Sequence, residues 1–460
     1  MTSRKRLLRI ACAAAAAVVL PAEQAMAQSA GPAILRDAET EQFLQDISAP
    51  MAISAGLSPG ALKLYVINDP EINAFVATGQ AIYINSGTIE KAESANELEG
   101  VIAHELGHIE GGDAVRSDQA YSAAGRVTLL SLLAGIAATA LVGPAGMLAT
   151  LAGSSAAMGK VLAYSRQQEG SADASAVRHL NDAHYSGKGM ISFFGKLRQE
   201  EYRLTPSYTS IDPYAVDHPM TDDRQAALLG DLEKSPWWNA PEDKAKQARF
   251  LRIKAKLVGY LDEPPVVMNK FPERDQSIPA HYARAYAWHR GGYPDAANAE
   301  VEKLLAAAPH DPYFLELKGQ ILLEGGHPAQ AIPALREAVQ QSRSTPLITA
   351  LLGNALVATE DPANLKEAAQ VLKVAVQRDS ENPQAWYDLG LVYTKLGDEA
   401  RASLASAERF SLQGQPSLAA ANAEVAMRGI PSGTPDYLRA QDLALTARDE
   451  ADRQRRQKKR

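Results

Sequence analysis

Residues 94–112 read SANELEGVIAHELGHIEGG. Ser94 and Glu97 form an S-x-x-E capping box, so a helix is predicted to begin near Ala95 and to run until Gly111-Gly112 stops it. On that helix His104 and His108 stand at i and i+4, so both imidazoles face one side, one turn apart, at the reach needed to share a zinc ion. Glu105 sits between them and is placed to act as a general base beside the ion without ligating it. The bland alternative is a polar helix face.

The composition limits how such an ion could be held. Cys12 is the single cysteine, and it lies in the first residues of the chain, so any metal must be bound by His and carboxylates. A carboxylate candidate is Glu169, with Asp173 one turn later and in reach of a ligand ring. Spacing alone does not separate this pair from an exposed Glu-Asp pair on a helix.

Around the motif, Leu62 to Ile67 alternates as a strand, Asn68-Asp69-Pro70 reads as a turn, and Gln80 to Asn85 reads as a second strand. Ala33 to Ala55 and Arg166 to Leu180 read as helices. Between Arg126 and Lys160 no charged residue occurs, and Gly143-Pro144-Ala145-Gly146 divides the run into two halves, each shorter than the roughly 20 residues a membrane span requires. The expectation is two packed helices whose apolar surface, residues 127–159, touches a membrane or a partner. Thr205 to Met220 reads as a long functional loop.

At the N-terminus, Arg4, Lys5, Arg6 and Arg9 precede an apolar run and Ala25-Met26-Ala27, the pattern of a signal peptide cleaved after residue 27. Its removal shifts the formal net charge from −7 to −10, which excludes nucleic acid as an expected partner.

Beyond a boundary near Pro236, small residues recur at Ala285, Gly319, Gly353 and Gly390, spaced by 34, 34 and 37 residues, the tetratricopeptide period. Trp386, Leu389, Gly390 and Tyr393 give the clearest unit, and Gly292, Gly326 and Gly397 fall at a common turn offset. Lys244 to Leu261 is predicted as a leading helix. The expected organisation is a signal peptide at 1–27, an α+β, mainly helical domain with a small β-sheet around the histidine motif at 28–235, an all-α repeat solenoid at 236–435, and a charged tail at 436–460, frayed from Arg448 to Arg460.

In order along the chain, Asn73-Ala74-Phe75, the Gln80–Asn85 strand, His104-Glu105-x-x-His108, Glu169-x-x-x-Asp173 and His218-Pro219 with Arg224 resemble the gluzincin-type zinc metallopeptidases, and in particular periplasmic members with a C-terminal tetratricopeptide domain. The resemblance implies one zinc ion per chain, Glu169 as third ligand and Asp173 as its supporting partner. It implies that Asn73 and the neighbouring strand, through Gln80, Ala81 and Ile82, form an edge where an extended peptide substrate adds. His218 would lie in the loop over the metal, either as a latch in the open position or as a catalytic group stabilising the oxyanion. The other histidines, His179, His184, His281, His289, His310 and His327, lack ligand spacing and are read as structural.

The implied activity is periplasmic zinc-dependent endoproteolysis of misfolded or misassembled outer-membrane proteins, with the repeats docking substrate or assembly machinery. The alternatives are a periplasmic chaperone or scaffold with minor proteolysis, and a housekeeping peptidase for short peptides.

Overall fold

The computed structural model describes residues 33–58, 60–77, 79–113, 166–204, 218 and 222–457. The expected signal peptide, the apolar run 127–159 and most of the 205–220 loop lie outside them; of that loop only His218 is described. Among the described residues no helix is long and apolar enough to cross a membrane.

The chain forms two compact units: one contains the chain up to Arg36 and Leu44–Lys244, the other Asp37–Phe43 and Ala245–Arg460. The first unit begins with β1 (Ile34–Leu35), which the sequence reading had absorbed into a helix. Helix α1 (Ala38–Ser54) follows, then β2 (Lys63–Ile67), β3 (Ala74–Val76) and β4 (Ala81–Asn85). These strands form a four-stranded sheet in the order β1-β2-β4-β3. β2 runs parallel to β4 with Val66 opposite Ile84, and β3 is antiparallel to β4 with Ala74 opposite Ile84. Period-two alternation sorts the faces: Val66, Ala74, Ile82 and Ile84 are buried, while Tyr65, Tyr83 and Phe75 stack in a row across the other side with centroids 5.3 Å apart.

The topology corrects the substrate-edge assignment. Ala81 and Ile82 lie on β4, which is paired on both sides, and Gln80 abuts it with its carbonyl accepting from Lys63 N. A strand with both flanks paired has no backbone donors or acceptors left for an added peptide. Among the described strands β1 and β3 are the edges, and β3 is the one that immediately follows Asn73.

After α2 (Ser86–Lys91) comes α3 (Ala95–Gly111), which carries the two motif histidines. Ser94 Oγ caps it by accepting from Glu97 N at 3.2 Å, while Glu97 Oε2 turns back to Glu93 N at 2.7 Å. Gly112, at φ 65°, ends it in the left-handed conformation. α3 packs on β3 and β4, on a helix spanning 166–182 (α4), and on α5 (Lys188–Leu204). Glycine permits the close approaches: a Cβ on Gly100 would meet Met190 Cα at 2.5 Å, and one on Gly107 would meet Ala172 O at 2.6 Å. α6 (Asp222–Leu232) completes the unit.

The second unit is helical throughout. It begins with α7 (Lys244–Leu261), where the leading helix was expected, and α8 (Pro264–Lys270). Antiparallel pairs follow: α9 (Ile278–Arg290) with α10 (Pro294–Ala307), α11 (Pro312–Glu324) with α12 (Pro328–Gln341), α13 (Pro346–Ala358) with α14 (Pro362–Arg378), and α15 (Pro383–Lys395) with α16 (Glu399–Leu412). Ala285, Gly319, Gly353 and Gly390 all fall on first helices, where Gly319 and Gly353 admit Leu335 and Leu372 from the partner helix. Gly292, Gly326 and Gly397 turn the first, second and fourth pairs at φ 78° to 81°, and Glu360, at φ 55°, turns the third.

The C-terminal reading is corrected. After α17 (Pro416–Gly429) comes α18 (Pro435–Gln457), so the stretch expected to fray from Arg448 is helical as far as Gln457. The fully buried residues of α18 are alanines: Ala440, Ala444, Ala447 and Ala451 are buried, Ala444 and Ala447 pack on Ala423, Ala419 and Ala420 of α17, and Tyr437 and Leu443 flank them half-buried. An alanine stripe buries little area per residue, so the sequence reading passed over it.

The segment Asp37–Phe43 belongs to this helical unit through buried contacts. Ala38 packs with Leu315, Ala338 and Ile348, Asp37 pairs with Lys256 Nζ at 2.5 Å, and Tyr282 Oη donates to Glu39 Oε2 at 2.9 Å. Near this cluster Glu316 has a buried Oε2 without a hydrogen-bond partner. Burial, the dominant cause, and the carboxylates of Asp37, Glu39 and Glu41 push its carboxyl up to about 8, against the opposing effect of Lys256.

Candidate metal centre

His104 and His108 project from α3, Glu169 from α4, and His218 from the chain leading into α6. All four are buried, and one ligand atom from each lies within 4.8 Å of the others. His104 Nε2 is 3.2 Å from His108 Nε2, 3.3 Å from His218 Nδ1 and 3.3 Å from Glu169 Oε2. Glu169 Oε1 is 3.1 Å from His218 Nδ1 and 3.4 Å from His108 Nε2.

These separations test the fit of a metal ion. Four ligands at the roughly 2.0–2.1 Å bond lengths of tetrahedral zinc stand about 3.3–3.4 Å from one another. The donor atoms of this cluster therefore already have the spacing of a single coordination sphere. Glu105 gives a second indication: it is fully buried, and among the described residues neither carboxylate oxygen has a hydrogen-bond partner. A buried carboxylate with two empty oxygens is costly unless it faces a cation or a polarised water. Its Oε1 lies 3.7 Å from His218 Nε2, on the cluster side of α3.

Around the donors stands a ring of supporting groups. Asp173 Oδ1 lies 3.0 Å from His104 Nδ1, although without an aligned hydrogen bond, and Asp113 Oδ2 lies 2.9 Å from His108 Nδ1. Each carboxylate favours a proton on the outer nitrogen, leaving the Nε2 lone pair toward the cluster. Arg224 forks onto Asp173 through Nε at 2.6 Å and Nη2 at 2.9 Å, and its Nη1 reaches Glu169 Oε2 at 2.7 Å.

The electrostatics favour a cation. Burial by itself would raise the Glu169 carboxyl, but hydrogen bonds and positive charge from His104 and His218 hold it well below the usual carboxylate range. Asp173 is likewise lowered, against its burial, by Arg224 and His104. Burial opposes charge on His104, yet the Asp173 and Glu169 carboxylates raise it to about 9.

The residues singled out from sequence therefore divide. His104, Glu105, His108, Glu169, Asp173 and His218 meet at one place. Asn73 is buried before the edge strand, its N–H donating to Thr88 Oγ1 and its Oδ1 lacking a partner. Asp113 and the role of Arg224 were missed, and the only local signal for Asp113 was an acidic residue directly after the glycine stop. The remaining histidines are placed elsewhere: His179 contacts Ser54 Oγ, His184 stacks on Trp237, and His281, His289 and His310 pair with Glu300, Glu324 and Glu337.

Residues 38–231 match the model of peptidase family M48, and residues 283–347, 316–379 and 351–411 match the tetratricopeptide repeat. The beta-barrel assembly-enhancing protease of Yersinia pestis is 24% identical over 394 residues, covering 83% of this chain and 78% of that protein. Its counterpart in Escherichia coli (strain K12) is 23% identical over 393 residues, covering 83% and 77%. A protease HtpX homolog of Acidiphilium cryptum (strain JF-5) is 36% identical over 138 residues, covering 27% of this chain and 47% of that protein.

Proposed function

We propose that this M48 metallopeptidase domain, followed by its tetratricopeptide repeats, is a zinc-dependent endopeptidase of the periplasm that hydrolyses misfolded or misassembled outer-membrane proteins. The convergence of His104, His108, Glu169 and His218 on one buried point carries the catalytic part of the reading. The likeness to the beta-barrel assembly-enhancing proteases, over most of both chains, supports the substrate class. The repeats, a fold that presents extended binding surfaces, would dock the substrate or the machinery that assembles it.

In this reading His104, His108 and Glu169 hold one zinc ion. A zinc ion in such a site polarises the scissile carbonyl and lowers the pKa of water to about 7, so that a nucleophile is available at neutral pH. Glu105, with both oxygens unengaged, takes the proton of the attacking water and passes it to the leaving amine. Asp113 and Asp173 keep the two rings oriented. The β3 edge offers backbone groups to an extended peptide. His218, with Nδ1 among the donor atoms, occupies the open position as a latch that the substrate or a partner displaces.

The test is casein digestion by the purified chain. Hydrolysis that stops with chelator and returns on adding zinc is expected; hydrolysis indifferent to chelator would refute the proposal.

A further inference from the structure

The Arg224 side chain is 10% exposed, and its guanidinium touches three members of the centre at once: Glu169 Oε2, both oxygens of Asp173, and, at 3.4 Å, the Nε2 of His104. A positive charge so close to a ligand nitrogen opposes a dication by simple Coulomb repulsion. It must therefore be offset by something else. The contacts indicate what: Arg224 takes Oε2 of Glu169, which also stands 3.3 Å from His104 Nε2 and from His218 Nδ1, while Oε1, free of the arginine, stands 3.4 Å from His108 Nε2 and 3.1 Å from His218 Nδ1. The fork on Asp173 fixes the carboxylate that stands behind His104. The Arg224 guanidinium also lies 5.7 Å from the Phe194 ring of α5. Close by, Arg198 of α5 holds Asp222 and Gln225 in the first turn of α6, so the root from which Arg224 projects is tethered independently of the metal donors.

We propose that Arg224 is a positioning residue of the metal centre: it holds Glu169 through one oxygen, presents the other to the ion, and locks Asp173 behind His104. This rests on the cluster being a metal centre. The inference has an unusual sign. If Arg224 acts only as a charge, its removal raises affinity for a dication; if it positions Glu169 and Asp173, removal lowers affinity despite the relief of repulsion.

The experiment uses the full chain stripped of metal and titrated with Co2+ against a chromophoric chelator, with the cobalt absorption spectrum recorded at saturation. For Arg224→Ala the expected result is Co2+ affinity lower by about 10- to 100-fold, the range for lost support of metal ligands, with altered cobalt bands. Arg224→Lys keeps the charge and loses the planar fork, so it is expected to fall by roughly 10-fold rather than to rescue. Affinity unchanged within twofold, or raised, with wild-type bands overturns the inference. Should Arg224→Ala fail to fold by circular dichroism, Arg224→Lys decides, and wild-type binding by that variant overturns it. A wild-type chain that binds no Co2+ refutes instead the metal-centre reading beneath it.

Discussion

Gly107→Ala adds one methyl group to the helix that carries His104 and His108. On glycine-to-alanine propensity alone the change in a helix interior stabilises by about 1 kcal/mol. The added Cβ, however, would stand 2.6 Å from Ala172 O and 2.8 Å from Ala172 Cα. Relieving that overlap to an ordinary contact of about 3.4 Å requires α4 to recoil by roughly 0.6–0.8 Å, because close-packed backbone has no slack to absorb it. Overpacking of this kind costs about 1–3 kcal/mol, so the clash outweighs the propensity gain or cancels it. The larger consequence is positional. Ala172 lies between Glu169 and Asp173, so both carboxylates move with it. A misplacement approaching 1 Å costs on the order of 100-fold in rate, and disturbed support of the ligands costs about 10- to 100-fold in metal affinity. Casein hydrolysis and Co2+ titration measure these losses. Gly170→Ala is the control: it is the same chemical change, beside Glu169, with nothing among the described residues within 4 Å of the new Cβ. Full activity and wild-type metal affinity in Gly107→Ala would refute the packing argument.

Glu105→Gln is expected to lower kcat by about 10²- to 10⁴-fold with metal content unchanged, since it removes the proton acceptor and leaves the donors; loss of the metal instead would place Glu105 among the ligands. His218→Ala is expected to raise casein hydrolysis by releasing the latch, whereas near-complete loss of turnover with zinc retained would leave only a catalytic role. Stability of the helical unit is expected to fall as pH rises through the window between the ordinary carboxylate value of 4.5 and about 8, because folded Glu316 keeps a proton that the unfolded chain has released. Glu316→Gln should flatten that dependence and exceed wild type at pH 8 in denaturant unfolding; parallel pH profiles for the two proteins would contradict it.

The protease-like helix was legible because every signal for it is local. Ser94, Glu97, the histidine spacing and Gly111-Gly112 all act within one helix, and α3 runs between the expected ends. The repeats were legible for a related reason: Gly319 and Gly353 each admit a leucine of the partner helix at the same place in the pair, so the period survives in the sequence. Long-range pairing left no comparable trace. β1 is two residues long and exists because Val66 and Ile67 pair with it. The order β1-β2-β4-β3 puts β4 inside the sheet, which no alternation pattern along Gln80 to Asn85 records. Asp37–Phe43 joins the helical unit through carboxylates whose partners, Lys256 and Tyr282, lie more than two hundred residues away. Arg224 reaches Glu169 and Asp173 across a fold-dependent gap, so its place in the centre becomes visible only in three dimensions.

Anomalous diffraction at the zinc edge from crystals of the chain grown with zinc gives the most direct measurement. The account predicts one strong peak per chain, about 2.0–2.2 Å from His104 Nε2, His108 Nε2 and a Glu169 oxygen. No peak at that position, or a peak that Glu169 does not reach, would contradict it.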